Sequence, residues 1–174
     1  MIVRVSLLWV LLACIAAIVV VVTTPAAAAD IKACDLLTPS ELEAVLGAKV
    51  ILKSDGTIPG GKTEHCTGQA PAVAVMLRLV TGLDPGRDDL DSKEKKDIEM
   101  DKRMGAQVEV KTFGPVTCST LIPSAKLAQK RYNTTCTVNK DTAAASIEMN
   151  AKRRKDMISI EKLRPLAEKM AGRF

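Results

Sequence analysis

The most prominent hydrophobic pattern of this chain is an apolar run over residues 5–22, broken by a single serine. Arg4 precedes the run, and Pro25 followed by four alanines ends it. A charged start, an apolar middle and a small-residue exit are typical of a secretory signal peptide. The pattern predicts a cleaved leader over residues 1–29 and a single exported domain over residues 30–174.

Two alternatives remain open for the leader. Residues 5–22 approach the ~20 residues that a membrane-spanning helix needs, so they would also suit an uncleaved anchor. The segment from Leu11 to Cys14 has the outline of a lipobox. We favour cleavage, because an anchor leaves the small-residue exit unexplained and because the apolar run continues well beyond Cys14.

After the leader, short apolar or alternating segments predict strands. The most distinct is residues 73–80, which are apolar except for one arginine. Further strands are predicted at residues 48–52, 64–67, 106–113, 116–121, 132–138 and 143–149. Turn-forming residues at 54–56 and 59–61 predict a loop between the first two of these strands.

Three segments have the pattern of helices. Residues 38–41, Thr-Pro-Ser-Glu, match a capping box with proline at the first helical position, and Gly47 is a suitable stop. The charged run of residues 87–103 predicts a solvent-exposed helix lying on a sheet. A last helix is predicted at residues 159–171, where Pro165 should kink or restart it. Its apolar stripe consists of Ile160, Leu163, Leu166, Ala167 and Met170.

Runs of strands with few helices between them are typical of antiparallel α+β domains. We therefore expect an antiparallel sheet with helices packed on one face, stabilised by disulfides. Four cysteines remain after the leader: Cys34, Cys66, Cys118 and Cys136. An even number in an exported domain predicts two disulfides, with three possible pairings. We favour Cys34–Cys66 and Cys118–Cys136, since each bridge then stays within one half of the chain.

Composition narrows the function classes. Loss of Arg4 with the leader lowers the formal net charge from +5 to +4. Only Phe113, Tyr132 and Phe174 then remain as aromatic residues. Sugar and nucleic-acid surfaces usually use stacking rings, so this scarcity argues against both, and we expect no nucleic-acid partner. There is no C-x-x-C motif and one histidine, so we expect no metal site and no cofactor.

The candidates for catalysis are weak. His65 and Cys66 are adjacent on a predicted strand, where neighbours point to opposite faces, and an oxidised Cys66 is no nucleophile. We interpret His65 as an ordinary exposed histidine beside a structural disulfide. The carboxylates of residues 88–101 alternate with lysines, which indicates a solvated helix face rather than a glycosidase pair. We therefore predict no catalytic residue and no enzymatic activity.

The sharpest charge feature is the basic cluster Lys152, Arg153, Arg154 and Lys155. We predict that it binds a partner, either a protein or an anionic envelope component. Other basic residues that would extend this surface are Lys126, Lys130, Arg131 and Lys140. The alternative is a solubilising loop between the last strand and the last helix.

Two methionines offer a separate hypothesis. Met100 and Met104 lie one helical turn apart, and thioethers are soft ligands that suit copper(I). Core filling is the commoner role of methionine and is the interpretation that we favour.

Residues 34–41, Cys-Asp-Leu-Leu-Thr-Pro-Ser-Glu, run on to Leu46 and Gly47, and Cys66 follows. This stretch resembles the opening of small exported bacterial proteins of the DUF3558 type. The resemblance covers residues 34–47 and Cys66. It implies an exported α+β domain, secreted or lipid-anchored, and it implies no catalytic residue.

Together these features predict a non-enzymatic periplasmic or secreted domain that binds an envelope component or a protein partner. A periplasmic carrier of a small ligand or a metal, using the sheet face or the two methionines, is the alternative. A membrane contact is expected only through an uncleaved leader. A hydrolase that depends on His65 is the third hypothesis.

Overall fold

The structure is a computed structural model and describes residues 31–57, 62–84, 90–125 and 131–174. The predictions on the leader, on Cys14 and on Lys126 and Lys130 lie outside these residues. The three helices are α1 (Pro39–Leu46), α2 (Leu90–Arg103) and α3 (Ile160–Ala171). The strands are β1 (Ile51–Thr57), β2 (Thr63–Gln69), β3 (Val73–Thr81), β4 (Gln107–Phe113), β5 (Val116–Ile122), β6 (Tyr132–Lys140) and β7 (Ala143–Ala151).

The seven strands form one antiparallel sheet in the order β1-β2-β3-β7-β6-β5-β4. Strands β1 to β3 make one meander and β4 to β7 make a second. The two meanders join where β3 pairs with β7 along its whole length, from Val73 opposite Ala151 to Thr81 opposite Ala143. The chain crosses from one meander to the other through α2. The predicted antiparallel α+β fold is confirmed. The helices do not all pack on one face as expected, because α2 lines a cleft with strand residues on the face turned away from α1 and α3.

Helix α1 forms as its sequence predicts. The backbone N–H of Glu41 donates to Thr38 Oγ1 at 3.4 Å, and the backbone N–H of Thr38 donates to Glu41 Oε2 at 2.9 Å. Both halves of the capping box are therefore present. Gly47 ends the helix with φ 64°, a left-handed conformation that favours glycine.

One local prediction is wrong, and the restart that was one alternative at Pro165 does not occur. Residues 54–56 were expected in a loop, but they belong to β1 and pair with β2 across a register shift between Ser54 and Gly56. A bulge accommodates the turn-forming residues, and pairing with β2 outweighs their local preference. Pro165 neither restarts nor ends α3, which runs continuously over it. The proline removes one internal hydrogen bond, whereas the buried stripe of the helix stabilises the whole segment.

The core lies between the sheet and helices α1 and α3. Every member of the predicted stripe of α3 is at most 3% exposed. The sheet contributes alternate residues of its central strands, including Val75, Leu77 and Ile147. A 3₁₀ turn (Ala33–Asp35) and α1 complete the core cluster.

Both favoured disulfides are present. Cys34–Cys66 ties the 3₁₀ turn to β2, and Cys118–Cys136 joins β5 to β6 at directly opposite positions of the ladder. All but Cys34 are fully buried. Two disulfides indicate an oxidising, exported environment. Within the described ranges, no helix has the length and apolarity needed to cross a membrane.

Candidate functional site

The face of the sheet turned away from α1 and α3 is largely polar, and we call it the open face. On β3 the buried residues Val75, Leu77 and Leu79 alternate with residues of this face. Directly opposite residues in a ladder share a face. The open face therefore contains Met76, Arg78, Ser119, Leu121, Asn133, Thr135, Thr137, Ser146, Glu148 and Asn150.

A hydrogen-bond network fixes the centre of the open face. Asn133 Nδ2 donates to Glu148 Oε1 at 2.8 Å and to Asn150 Oδ1 at 3.1 Å. Asn150 Nδ2 donates to the same oxygen of Glu148 at 2.6 Å. Thr135 Oγ1 donates to Asn133 Oδ1 at 2.8 Å. Four half-buried side chains on β6 and β7 thus hold one another in place, so the face is pre-organised.

Helix α2 lies over this network and leaves a cleft of about 640 Å³. The sheet side of the cleft includes the network residues together with Arg78, and α2 contributes Asp97, Ile98, Met100 and Asp101. The side of the cleft towards β4 is apolar, because Leu121 on β5 faces Val108 on β4. The cleft has the size of a small-molecule site and combines apolar walls with convergent polar groups, which is typical of such sites.

Two charged groups in the cleft have unused hydrogen-bonding capacity. Both amide donors of the network use Glu148 Oε1, and Oε2 accepts no hydrogen bond from the described residues. Arg78 is half-buried, and within the described part of the chain its guanidinium makes no hydrogen bond and no ion pair. A guanidinium and a carboxylate oriented towards a cleft are suited to recognise charged groups of a ligand.

The sequence predicts that the acidic residues of α2 lie on a solvated face of the helix. The structure differs from this prediction at one residue. Asp97 is exposed and follows that prediction, but Asp101 is only 6% exposed. The helix turns the carboxylate of Asp101 towards the sheet, where it lines the cleft. Charge patterning alone did not reveal this, because residues 97 and 101 share a face of the helix and only the docking of α2 decides which of them is covered.

His65 lies on β2 opposite Arg78, on the open face, and Cys66 lies in the core in its disulfide. The expected separation of the two side chains is confirmed, but His65 is half-buried rather than exposed. Its Nε2 atom is buried and has no hydrogen-bond partner in the described structure. The imidazole is therefore not paired with a nucleophile.

The basic cluster Lys152, Arg153, Arg154 and Lys155 is exposed throughout and lies between β7 and α3, where the sequence placed it. Arg153 Nε donates to Asp156 Oδ2 at 2.6 Å, and this contact raises the pKa of the guanidinium. Among the described residues the other three cations form no ion pair. Binding of a partner by this cluster stays a prediction.

The wider basic surface does not assemble as one patch. Arg131 immediately precedes Tyr132, which faces Ala151 next to the basic cluster, and Arg131 itself lines the cleft. Lys140 lies at the other end of β6, about 26 Å away for a nine-residue strand. There it contacts the chain terminus, with its ammonium 4.6 Å from the ring centre of Phe174. Lys140 therefore does not extend the cluster.

The described residues give no support to the hypothesis of a metal site. The described residues contain no group of three or more His, Cys, Asp and Glu side chains that would hold an ion. Met100 is 53% exposed, so it is not a core residue as we had favoured, and it lines the cleft. It contributes apolar surface there.

A second charged cluster joins the two ends of the domain, away from the cleft. Arg173 makes a two-bond contact with Glu41, with both nitrogen–oxygen distances at 2.8 Å, and donates to the carbonyl of Leu36. Lys169 adds an ion pair at 3.2 Å. These partners, Arg173 foremost, lower the pKa of Glu41 from 4.5 to about 2. The cluster fastens α1 to the end of α3 and so serves the fold.

Lys111 on β4 makes two exposed ion pairs, one within β4 and one to α3. Lys111 Nζ lies 3.0 Å from carboxylate oxygens of both Glu109 and Glu161. The hydrogen bonds that Lys111 donates to these two carboxylates raise the pKa of its ammonium. The pKa of Glu161 falls to about 2, first through its own backbone N–H and then through Lys111.

The sequence analysis missed the residues that form the cleft. Arg78, Asn133, Glu148 and Asn150 come from three strands, and none of them was predicted to bind a ligand. One signal was present: Arg78 is the single charge in an otherwise apolar strand. A second was the polar alternation along β6 and β7, which marks one face of each strand as non-core.

Comparison with known proteins adds no assignment: no family model matches the chain, and no curated protein matches it.

Proposed function

We propose that the protein is an exported, non-enzymatic domain that binds a small polar ligand in the cleft between α2 and the open face. The observation that carries the proposal is the pre-organised network of Asn133, Thr135, Glu148 and Asn150 beneath a cleft of about 640 Å³. Export is supported by the sequence pattern of residues 1–29 and by the two disulfides.

The absence of catalysis is part of the proposal. His65 is the single histidine of the chain, and it makes no hydrogen bond to a nucleophile among the residues that the structure describes. The polar groups of the cleft are amides, hydroxyls, carboxylates and two guanidiniums, a set that recognises polar ligands. A binding function uses all of these groups, whereas acyl transfer needs an activated nucleophile as well.

The test is to fill the cleft. Thr135→Trp places a large ring on the floor of the cleft, and Ile51→Trp is the matched control. Ile51 is 70% exposed on the edge strand β1, on the open face but outside the cleft. Native mass spectrometry of protein recovered from the host envelope should detect a reproducible extra mass on the wild type and on Ile51→Trp, and none on Thr135→Trp. If the wild type carries no extra mass and takes none up from an envelope extract, the proposal is wrong.

A second candidate function is contact with a protein or an anionic envelope component through the basic cluster. It is favoured by the exposure of Lys152, Arg154 and Lys155, which have no ion-pair partner among the described residues. The triple reversal of these residues to Glu should release the protein from envelope fractions at low salt. Lys162→Glu, on the exposed side of α3, is the control. Equal retention of the triple variant and the wild type would remove this candidate.

A further inference from the structure

On the sheet side of the cleft, which also contains Arg131, Asp97 and Asp101, the opposite charges of Arg78 and Glu148 do not neutralise each other. Arg78 faces Ser146, and Glu148 faces Met76, so Arg78 and Glu148 are diagonal neighbours on adjacent strands. No ion pair joins them within 4.0 Å. Diagonal neighbours in a sheet lie about 7–8 Å apart, which is close enough for long side chains to pair. Instead, the amides of Asn133 and Asn150 hold the carboxylate of Glu148.

The space between Arg78 and Glu148 suits a ligand that carries an ammonium and a carboxylate close together. An ammonium placed near Glu148 would donate to Oε2, the oxygen that the network leaves unused. A carboxylate placed near Arg78 would accept from the guanidinium. With a hydrogen bond of about 2.8 Å at each end, an adjacent ammonium and carboxylate would bridge two charged groups that lie more than 4.0 Å apart.

The apolar part of the cleft specifies the rest of the ligand. Val108 and Leu121 line its side towards β4, and Ile98 and Met100 approach from α2. Met100 is 53% exposed although it lines the cleft, so it has apolar surface available for a ligand to cover. Burial of such surface is favourable by about 25 cal/mol per Å².

We infer that the ligand is a free α-amino acid with an apolar side chain, bound through its ammonium at Glu148 and its carboxylate at Arg78. This inference rests on the proposed function, since it specifies the chemistry of the same cleft. A ligand with one charge would leave either Arg78 or Glu148 desolvated and unpaired, which is unfavourable. A zwitterion satisfies both.

The first experiment varies the ligand and keeps the wild-type protein. Isothermal titration calorimetry with L-leucine and L-methionine should give saturable binding at one site. Leucinamide lacks the carboxylate and 4-methylpentanoate lacks the ammonium, so each should bind at least tenfold more weakly than leucine. The dipeptide Leu-Leu separates the two charges and should lose a similar factor. Equal binding of leucine and these analogues would overturn the inference.

The second experiment varies the protein. Arg78→Met should weaken leucine binding at least tenfold and leave the weaker binding of leucinamide unchanged, because the amide has no carboxylate to lose. Glu148→Gln should weaken leucine in the same way and leave 4-methylpentanoate unchanged. Lys53→Met is the control, since Lys53 is exposed on β1 on the same face but outside the cleft. If either cleft variant does not fold, the analogue series on the wild type decides.

The two proposals fail in different ways. If no amino acid binds, but Thr135→Trp still removes an extra mass found on the wild type, the zwitterion inference is wrong and the proposed function stands. If neither amino acids nor an envelope extract supply a ligand, both are wrong. Binding of leucine that Thr135→Trp leaves unaffected would place the amino acid outside the cleft and would overturn the inference.

Discussion

Glu41→Gln is the perturbation whose effect follows most directly from the structure. The carboxylate receives two hydrogen bonds from Arg173, one from Lys169 and one from the backbone of Thr38. Glutamine keeps the shape of the side chain and still accepts from the Thr38 N–H. The substitution therefore removes the charge and leaves the capping box largely in place.

The expected magnitude comes from the pKa of Glu41. A carboxyl pKa lowered from 4.5 to about 2 corresponds to about 3 kcal/mol of stabilisation at neutral pH. The side chain of Glu41 is 16% exposed and that of Arg173 is 34% exposed, so solvent screening reduces the gain. We expect Glu41→Gln to lower the free energy of unfolding by about 2 kcal/mol at pH 7.

The pH dependence gives the sign of the effect. Because the folded-state pKa lies below the unfolded-state value, the stabilisation is complete well above pH 4.5 and is lost as the pH falls towards 2. The gap between wild type and variant should therefore be largest at pH 7 and smaller by about half near pH 3.

The assay is equilibrium unfolding in urea, followed by circular dichroism, at pH 7, 5, 4 and 3 with disulfides intact. Glu168→Gln is the matched control, since Glu168 pairs with Arg164 along α3 and is 45% exposed. That control should lose less than about 0.5 kcal/mol and show no comparable pH trend. A loss for Glu41→Gln no larger than for Glu168→Gln, or a gap that does not change with pH, would refute the reasoning.

Three further predictions concern the fold. Replacing both Cys118 and Cys136 by alanine should lower the free energy of unfolding by about 3 kcal/mol, since the bridge closes a loop of 18 residues. Equal denaturant midpoints of wild type and variant, measured in parallel, would contradict this. Leu163→Ala should lower the free energy of unfolding by about 3 kcal/mol, because Leu163 is fully buried on α3. Since the melting temperature falls by about 2–4 °C per kcal/mol, a variant that melts within about 2 °C of the wild type would contradict this. Gly47→Ala should cost about 1 kcal/mol because φ is 64° there, and an unchanged urea midpoint would show that the end of α1 tolerates a side chain.

Sequence and structure agree where the determining interactions are local. The capping box of α1 is formed by residues three positions apart, and the stripe of α3 repeats with the helical period. The apolar run of β3 identifies it as a largely buried strand without knowledge of its neighbours. These features depend on spacing along the chain, so the sequence alone determined them, together with the fold class.

Agreement fails where distant segments decide. Residues 54–56 have the composition of a loop, but the ladder with β2 makes them part of a strand. Asp101 belongs to a charged run, but docking of α2 buries it. In both cases a partner element supplies hydrogen bonds or covers surface, and its position is not encoded within the local segment.

The cleft is the clearest example. Arg78 and Glu148 are 70 positions apart and become neighbours only because β3 pairs with β7 in one register. The pairing of Cys118 with Cys136 likewise follows from the register of β5 and β6. The sequence by itself determined which residues are apolar, which segments are strands or helices, and that export and disulfides suit the chain. Only the tertiary structure decided which polar side chains meet, because strand order and register are set by the packing of the whole sheet.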